Sequence, residues 1–318
     1  MADRNQGVAA VLSSLKGKDF LSSGDLSALQ ISALLELAMQ LKNAERRIDL
    51  GNRVLGLIFT KASTRTRVSF QVAMARLGGQ TVDLNPQVTQ LGRGEPLKDT
   101  ARVLSRFCDV LAVRTFEQKE LIDYAHWASI PVLNALTDIE HPCQALADFL
   151  TVKETFGEVE GKTLCYIGDG NNVAHSLMIC GSLLGVNIRV ASPKGFEPLS
   201  EMMNKALELS QAKAKIEIFN NPLEAIRGAE AVYTDVWASM GQEEEQSVRA
   251  KAFEGFCLDE ELFSKADSNA IVLHCLPAHR GEEISSGLFE SVSSRIFDQA
   301  ENRLHVQQAL LAAVLGGL

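Results

Sequence analysis

The residues best suited to hold an anion lie in one short segment, Lys61-Ala-Ser-Thr-Arg-Thr-Arg67, which directly follows an apolar run. A helical pattern begins at Thr64, which predicts Ser63 as the N-cap. The first helical turn then carries Arg65 and Arg67, and cations there oppose the helix macrodipole. A bound phosphate would remove this conflict, because backbone N–H groups, hydroxyls and guanidinium groups all donate to it. We interpret the segment as a phosphate site; the alternative is a solvated basic turn paired with carboxylates.

Two further polar positions in the first half each have a functional and a structural interpretation. Arg114 ends an apolar strand, where a charge needs a partner, so it is either a second anion contact or half of a structural salt bridge. His141-Pro-Cys-Gln144 opens a helix, with Pro142 at the position that suits proline. His141 and Gln144 either face a ligand or form an ordinary cap, with Gln144 reaching back as in a capping box.

A glycine pair opens the second half of the chain. Gly168-Asp-Gly-Asn-Asn172 matches the start of a dinucleotide-binding fingerprint but carries Val173 where the third glycine belongs. We therefore interpret it as a tight strand-to-helix turn, with Asn171 or Asn172 available to a ligand.

Asp235 and Cys275 lie at the carboxyl ends of two later predicted strands, residues 231–234 and 270–273. The Glu243-Glu-Glu245 run after Asp235 is most simply a solvated acidic face; the alternative is a mobile loop that offers Asp235 to an amine. Cys275 is either a buried structural thiol or the nucleophile of a Cys/His enzyme, whose base cannot be placed from sequence. The six histidines lack spacing such as H-E-x-x-H, so no metal site is expected.

Short apolar segments alternate with helical patterns, which predicts an α/β fold with parallel sheets. Predicted strands span residues 54–59, 109–113, 131–133, 163–167, 186–191, 231–234 and 270–273. Predicted helices span residues 64–77, 99–107, 172–184 and 301–315, with others starting at Pro142 and ending near Ser210. A boundary near residue 150 divides the chain into two domains of similar size, each a parallel sheet flanked by helices. Ligands bind beyond the carboxyl ends of such strands, so we expect the active site in the cleft between the domains.

Composition narrows the possible functions. The chain has 318 residues, 46% of them hydrophobic, which suffices for sizeable cores. A formal net charge of −9 disfavours nucleic-acid binding. Six cysteines without C-x-x-C pairs predict reduced thiols and a cytoplasmic protein. The N-terminus lacks a targeting pattern and no apolar run reaches about 18 residues, so no membrane span is expected.

Four segments resemble those of the ornithine carbamoyltransferases, a branch of the transcarbamoylase family. They are Ser63-Thr-Arg-Thr-Arg67, His141-Pro-Cys-Gln144, Asp235-Val-Trp-Ala-Ser-Met-Gly241 and His274-Cys-Leu-Pro-Ala-His-Arg-Gly281. They occur in the family's order and spacing, and the similarity extends over nearly the whole chain. The first two resemble all transcarbamoylases, whereas the last two point to ornithine rather than aspartate.

The resemblance implies a carbamoyl-phosphate-binding domain at residues 1–149, joined by the C-terminal helix at about 304–318, and an ornithine-binding domain at 150–303. It implies transfer of a carbamoyl group from carbamoyl phosphate to the δ-amine of L-ornithine, giving L-citrulline and phosphate, in arginine biosynthesis or the reverse catabolic route. It also implies a homotrimer, a cis Leu276–Pro277 peptide, and no metal or organic cofactor.

Individual roles follow from the same resemblance. Catalysis falls to Arg65, Arg114, His141 and Cys275. Carbamoyl phosphate is held by Ser63, Thr64, Arg65, Thr66, Gln90, Arg114, His141, Gln144, Cys275, Leu276 and Arg303, with Gln90 reaching a neighbouring subunit's site. Ornithine is held by Asn172, Asp235, Ser239 and the backbone of Met240.

Other functions remain open at this point. The nearest is a transcarbamoylase for another amine, namely putrescine, N-acylornithine or aspartate. A nicotinamide-dependent oxidoreductase fits the α/β pattern, although the incomplete glycine fingerprint counts against it. A non-catalytic protein that binds an anion or an amino acid is the third possibility.

Overall fold

The computed structural model describes residues 2–85, 94–238 and 246–318. The chain forms two compact units, which we call unit 1 (Met1–Leu150 with Asn302–Leu318) and unit 2 (Thr151–Glu301). Each unit contains one parallel sheet with helices, so the predicted α/β fold class is confirmed.

The elements are numbered in chain order. The strands are β1 (Val54–Phe59), β2 (Gln80–Leu84), β3 (Val110–Arg114), β4 (Val132–Leu136), β5 (Thr163–Ile167), β6 (Asn187–Ala191), β7 (Ile216–Phe219), β8 (Ala231–Thr234) and β9 (Ile271–His274). The helices are α1 (Ala2–Leu12), α2 (Ala28–Lys42), α3 (Arg65–Arg76), α4 (Leu97–Leu104), α5 (Gln118–Trp127), α6 (Pro142–Phe156), α7 (Asn172–Leu184), α8 (Ser200–Ser210), α9 (Pro222–Ala225), α10 (Gln246–Ala252), α11 (Glu260–Phe263), α12 (Ser286–Phe289) and α13 (Ile296–Leu315).

The sheet of unit 1 has the strand order β2-β1-β3-β4. Its inner strands are apolar because helices cover both faces, as is usual for parallel sheets. Phe59 pairs with Arg114 where β1 and β3 end. The register therefore brings Arg114 and the segment that follows β1 to the same edge.

The sheet of unit 2 has the order β7-β6-β5-β8-β9. Ile167 pairs with Thr234, and Thr234 pairs with His274, so three strands end in line. The polar residues that follow β5, β8 and β9 consequently emerge together. A core of buried apolar side chains, including Phe253 and Val272, supports this sheet.

Helix α7 shows how local sequence sets the start of an element near this edge. Asn171 is the N-cap, and its side chain accepts hydrogen bonds from the N–H groups of Val173 and Ala174. Gly185 ends the helix at φ 72°, a left-handed conformation that glycine adopts without penalty. The cap places Asn171 and Asn172 directly beyond β5.

The edge strands β2 and β7 were not among the sequence predictions. Both lie at the margin of a sheet, where a strand needs no continuous apolar run, and β2 is largely exposed. Helix α13 begins at Ile296 rather than at the predicted residue 301. Its first turn includes Phe297, which is 62% exposed, so the apolar periodicity is weak there.

All six cysteines lie within the described ranges and are free thiols. Burial raises the pKa of Cys143 and Cys165 to about 12, so these two thiols are unreactive. Among the described residues, no helix combines the length and apolar composition needed to cross a bilayer.

The turn after β5 explains the glycine pair. Gly170 donates its N–H to the carbonyl of Phe196 at 2.8 Å. A Cβ at Gly170 would lie 2.1 Å from the backbone N of Pro198 and 2.3 Å from the carbonyl C of Glu197. The backbone at Glu197 and Pro198 approaches so closely that position 170 must be glycine. This packing accounts for Gly170 without a role in nucleotide binding.

We predict that Gly170→Ala destabilises the protein by about 1–3 kcal/mol, because the added methyl group must displace backbone. Urea unfolding followed by circular dichroism measures the change. The control is Gly7→Ala in α1, where a Cβ meets nothing within 4 Å and where alanine favours the helix. Equal unfolding midpoints for Gly170→Ala and wild type would contradict the close approach.

Candidate active site

Two arginine side chains of unit 1 converge on one threonine hydroxyl. Thr66, in the first turn of α3, accepts hydrogen bonds at Oγ1 from Arg114 Nη1 at 3.4 Å and from Arg303 Nη2. All three side chains are buried. Lys61 lies nearby over the Phe116 ring, and burial together with Arg114 lowers its pKa. A hydroxyl that accepts two hydrogen bonds still has a proton to donate, so the cluster suits an oxyanion.

The start of α3 differs from the prediction. Thr64, rather than Ser63, is the N-cap, and it has helical dihedral angles (φ −83°, ψ −57°). Ser63 is one residue too early for its hydroxyl to reach the first-turn N–H groups, so the prediction of Ser63 as N-cap is wrong. In the described part of the chain no side chain caps α3, which leaves its N-terminal N–H groups suited to an anion.

The two arginines of this turn have different surroundings. Arg67 pairs with Asp83 of β2, and its guanidinium lies 5.1 Å from the centroid of the Phe59 ring. Arg65 is partly buried, and its Nε has no hydrogen-bond partner among the described residues. A carboxylate thus offsets the charge of Arg67, whereas Arg65 is the arginine that a ligand would satisfy.

His141 lies immediately before α6. Burial, followed by the positive charges of Arg303 and Arg114, lowers its pKa well below 6.5. The imidazole is therefore neutral at pH 7 and carries one N–H. A neutral imidazole donates a hydrogen bond without adding a further positive charge beside Arg114 and Arg303.

Gln144 lies in the first turn of α6 and has a fixed amide orientation. Its Nε2 donates to Asp148 Oδ1 at 2.8 Å. Because a carboxylate accepts but does not donate, the amide oxygen must point the other way. Gln144 Oε1 is buried and, within the described residues, has no hydrogen-bond partner. Gln144 Oε1 therefore adds a buried acceptor to the donors of the described residues of unit 1.

In unit 2, Asp235 is 4% exposed and is surrounded by neutral donors. Its Oδ1 accepts from Cys275 Sγ at 2.9 Å and from the N–H of Val236 at 2.8 Å. Its Oδ2 accepts from Asn171 Nδ2 at 3.0 Å. No cation of the described chain pairs with Asp235. A buried carboxylate of this kind is well suited to a cationic ligand.

The neighbouring residues Asn171 and Asn172 have different positions and contacts. Asn171 caps α7 and also accepts a hydrogen bond from the Tyr166 hydroxyl at 3.3 Å. Burial, with Asp235 and Asp169 adding to it, raises the pKa of Tyr166 well above 10, so the hydroxyl keeps its proton. Asn172 is the first residue of α7 and is only partly buried.

The turn after β9 holds Cys275 and Leu276. The Leu276–Pro277 peptide is cis, as predicted. Leu276 has φ 62° and donates its N–H to His274 Nδ1 at 2.9 Å. His274 Nε2 in turn lies 3.0 Å from Glu283 Oε1, and both side chains are fully buried. Hydrogen bonds that run from Leu276 through His274 to Glu283 therefore support this turn.

Among the described residues, two clusters have ligand atoms close enough together to suit a metal ion. Asp235, His274 and Cys275 each offer a ligand atom within 4.8 Å of the others, as do His279, Glu282 and Glu283. In the first cluster, both ring nitrogens of His274 and the thiol of Cys275 already take part in hydrogen bonds. These bonds account for the cluster within the chain itself.

The predicted residues fall into two groups. Unit 1 contains Ser63, Thr64, Arg65, Thr66, Arg114, His141, Gln144 and Arg303. Unit 2 contains Asn172, Asp235, Cys275 and Leu276. Gln90, Ser239 and Met240 lie outside the described residues.

Sequence reasoning missed several buried polar residues that support these groups. Glu140, next to His141, accepts from Ser22 Oγ at 2.5 Å and from the N–H of Ser23 at 2.8 Å. Arg249 forms a buried ion pair with Asp169 at 2.9 Å. An acidic residue directly before His141 and an aspartate between two glycines were the available signals. Their partners are distant in sequence, so no local pattern identifies them.

Two family models match this chain. The aspartate/ornithine carbamoyltransferase carbamoyl-P binding domain matches residues 18–154, and the Asp/Orn binding domain of the same family matches residues 160–314. The polar residues of unit 2 lie within the second range, and those of unit 1 lie within the first except Arg303, which falls in the second.

Several known proteins similar to this chain are named ornithine carbamoyltransferases. An ornithine carbamoyltransferase of Prochlorococcus marinus (strain MIT 9313) is 75% identical over 318 residues, covering 100% of both chains. The crystal structure of ornithine carbamoyltransferase from Gloeobacter violaceus is 52% identical, with a TM-score of 0.87 over 95% of this chain and 99% of that one. The enzyme from Pyrococcus furiosus is 46% identical, with a TM-score of 0.92 over 96% and 99%.

Identity this high along nearly the full length, together with family models that cover both units, allows one assignment. The chain belongs to the aspartate/ornithine carbamoyltransferase family.

Proposed function

We propose that this protein is an ornithine carbamoyltransferase, which transfers the carbamoyl group of carbamoyl phosphate to the δ-amine of L-ornithine. Citrulline and phosphate are the products. The observation that carries the proposal is electrostatic: unit 1 contains a donor-rich anion site, and unit 2 contains a buried carboxylate, Asp235, that lacks a cation among the described residues.

Unit 1 binds carbamoyl phosphate. The phosphate lies at the N-terminus of α3, where Ser63, Thr64, Thr66 and Arg65 donate to it. The amide oxygen of Gln144 accepts from the carbamoyl NH2 group, which supplies the partner that this buried oxygen otherwise lacks in the described chain. Arg303 completes the positive surroundings of the donor.

The chemical step needs stabilisation of an oxyanion. The neutral δ-amine attacks the carbonyl carbon, and negative charge develops on the carbonyl oxygen. Arg114 and neutral His141 donate to that oxygen from fixed, buried positions. The C–O bond to phosphate then breaks, and the proton lost by the amine leaves with the phosphate.

Unit 2 binds ornithine. Asp235 pairs with the α-ammonium group, because its carboxylate is buried and its described partners are all neutral. Asn172 meets the α-carboxylate at the start of α7. Cys275 and Leu276 lie beside the attacking amine. Gln90, Ser239 and the backbone of Met240 complete the proposed contacts and lie outside the described residues.

The proposed setting is cytoplasmic, in arginine biosynthesis or in the reverse catabolic route. The six free thiols support a reducing compartment. A homotrimer is the proposed assembly. In unit 1, the edge strand β2 and helix α3 leave Val82 and Val68 about half exposed, and this apolar surface supports an interface between copies.

The substrate assay uses purified protein with carbamoyl phosphate and each candidate amine. We expect citrulline formation with ornithine to exceed carbamoylation of putrescine, N-acetylornithine and aspartate by at least about 100-fold, because only ornithine offers both the α-ammonium and the δ-amine. Omission of either substrate is the control. Faster turnover of another amine, or phosphate release without any amine, would reject ornithine as the acceptor.

Arg65→Ala should lower kcat by at least about 10²-fold, the usual cost of removing one charged donor to a developing anion. The matched control is Arg76→Ala, at the exposed C-terminal end of the same helix, which should retain wild-type turnover. Steady-state citrulline assays measure both. Near-normal turnover of Arg65→Ala would remove this residue from the mechanism.

The neutral state of His141 predicts an acid sensitivity of stability. Its pKa is lower in the folded protein than in the unfolded chain, so the unfolded chain takes up the proton first as pH falls below about 6.5. From pH 7.5 to 5.5, wild type should lose about 1.4 kcal/mol more stability than His141→Gln.

Urea unfolding at both pH values measures this difference. The control His126→Gln, exposed on α5, should keep the wild-type dependence. Parallel loss in wild type and His141→Gln would mean that His141 is not held neutral by the fold.

A further inference from the structure

The hydrogen bonds around His274 determine which ring nitrogen carries the proton. Nδ1 accepts the N–H of Leu276 at 2.9 Å, so Nδ1 has no proton of its own. The proton of the neutral ring is therefore on Nε2, which lies 3.0 Å from Glu283 Oε1. Glu283 is the acceptor that this tautomer requires.

Glu283 also closes the loop that follows the turn. Its Oε1 accepts the N–H of His279 at 2.6 Å, in addition to the proton of His274. The Glu283 side chain is 0% exposed, whereas the adjacent Glu282 is 49% exposed. A buried carboxylate is costly unless it is hydrogen-bonded, so this placement calls for a specific role.

The role is visible at Leu276. A leucine at φ 62° occupies a left-handed conformation that non-glycine residues rarely adopt. His274 Nδ1 accepts the N–H of Leu276 and so stabilises this conformation. The backbone N–H of His274 in turn donates to Gln299 Oε1 at 2.8 Å. The same turn carries Cys275, whose thiol donates to Asp235.

We propose that Glu283 is a positioning residue: through the Nε2–H tautomer of His274, it sets the backbone of Cys275 and Leu276 against the reacting amine. This inference rests on the proposed function for its kinetic consequence only. Glu283 contacts no substrate and acts entirely through His274.

The first test reads the tautomer directly, without activity. Protein labelled with ¹⁵N-histidine should show His274 as the neutral Nε2–H form, identified by loss of its signals in His274→Asn. His175 is an internal reference for the opposite tautomer, because its Nε2 accepts the N–H of Leu199 at 3.1 Å. A proton on Nδ1 of His274 in wild type overturns the proposal, whether or not citrulline is formed.

The second test compares variants. Glu283→Leu removes the acceptor at similar volume; it should mix the two tautomers of His274 and lower kcat by about 10- to 100-fold, a loss typical of residues that orient a functional group. The KM for carbamoyl phosphate should change less than kcat, because the contacts proposed for its phosphate group all belong to unit 1 and only Cys275 and Leu276 lie in the turn that Glu283 supports. Glu283→Gln retains an oxygen acceptor and should keep the wild-type tautomer and most of kcat.

Glu282→Leu is the matched control for an exposed neighbour and should behave as wild type. A folded Glu283→Leu variant with wild-type kcat, or one whose His274 tautomer is unchanged, overturns the proposal. If Glu283→Leu does not fold, the ¹⁵N spectra of wild type and Glu283→Gln test the proposal instead. A changed His274 tautomer in Glu283→Gln together with unchanged kcat would also contradict the proposal.

Discussion

Buried positive charge at the carboxyl edge of the unit 1 sheet is the constraint on which the donor site depends. Arg114 and Arg303 share the hydroxyl of Thr66, and Arg65 adds a third guanidinium in the same helical turn. Such a collection is unfavourable without negative charge close by. It also explains the neutral imidazole of His141, because the arginines disfavour a further cation. In the proposed function, the anion that binds beside these arginines is the phosphate that leaves in the reaction.

The acceptor site of unit 2 has the opposite electrostatic character. Asp235 is a buried carboxylate held by neutral donors, and Arg249, the buried cation of this region, is paired with Asp169 instead. The described residues of unit 1 thus favour a bound anion, and those of unit 2 favour a bound cation. A reaction between an acyl phosphate and a diamino acid meets both, which is why the family assignment and the electrostatics agree.

Sequence patterns predicted the elements that are buried on both faces. The strand at residues 54–59 and the helix at 172–184 were predicted with the boundaries observed, because apolar runs and caps are local signals. The edge strand β2 escaped prediction because its residues are mostly exposed. The sequence predicts Ser63 as the N-cap of α3, but Thr64 occupies that position. Serine and threonine have similar capping propensities, so the sequence alone does not separate these adjacent residues. For the candidate site, the motifs identified the residues, but the Thr66–Arg303 and His274–Glu283 contacts depend on tertiary structure and on segments far apart in the chain.

The hydrogen bond from Gln144 to Asp148 has a consequence for which acyl phosphates can react. With its NH2 group committed to the carboxylate, the amide turns only an oxygen lone pair toward the ligand. Carbamoyl phosphate offers an N–H at that point, whereas acetyl phosphate offers a methyl group and would leave the buried oxygen unsatisfied. In the proposed binding mode of Gln144, this amide discriminates nitrogen from carbon in the transferred group before any bond is broken.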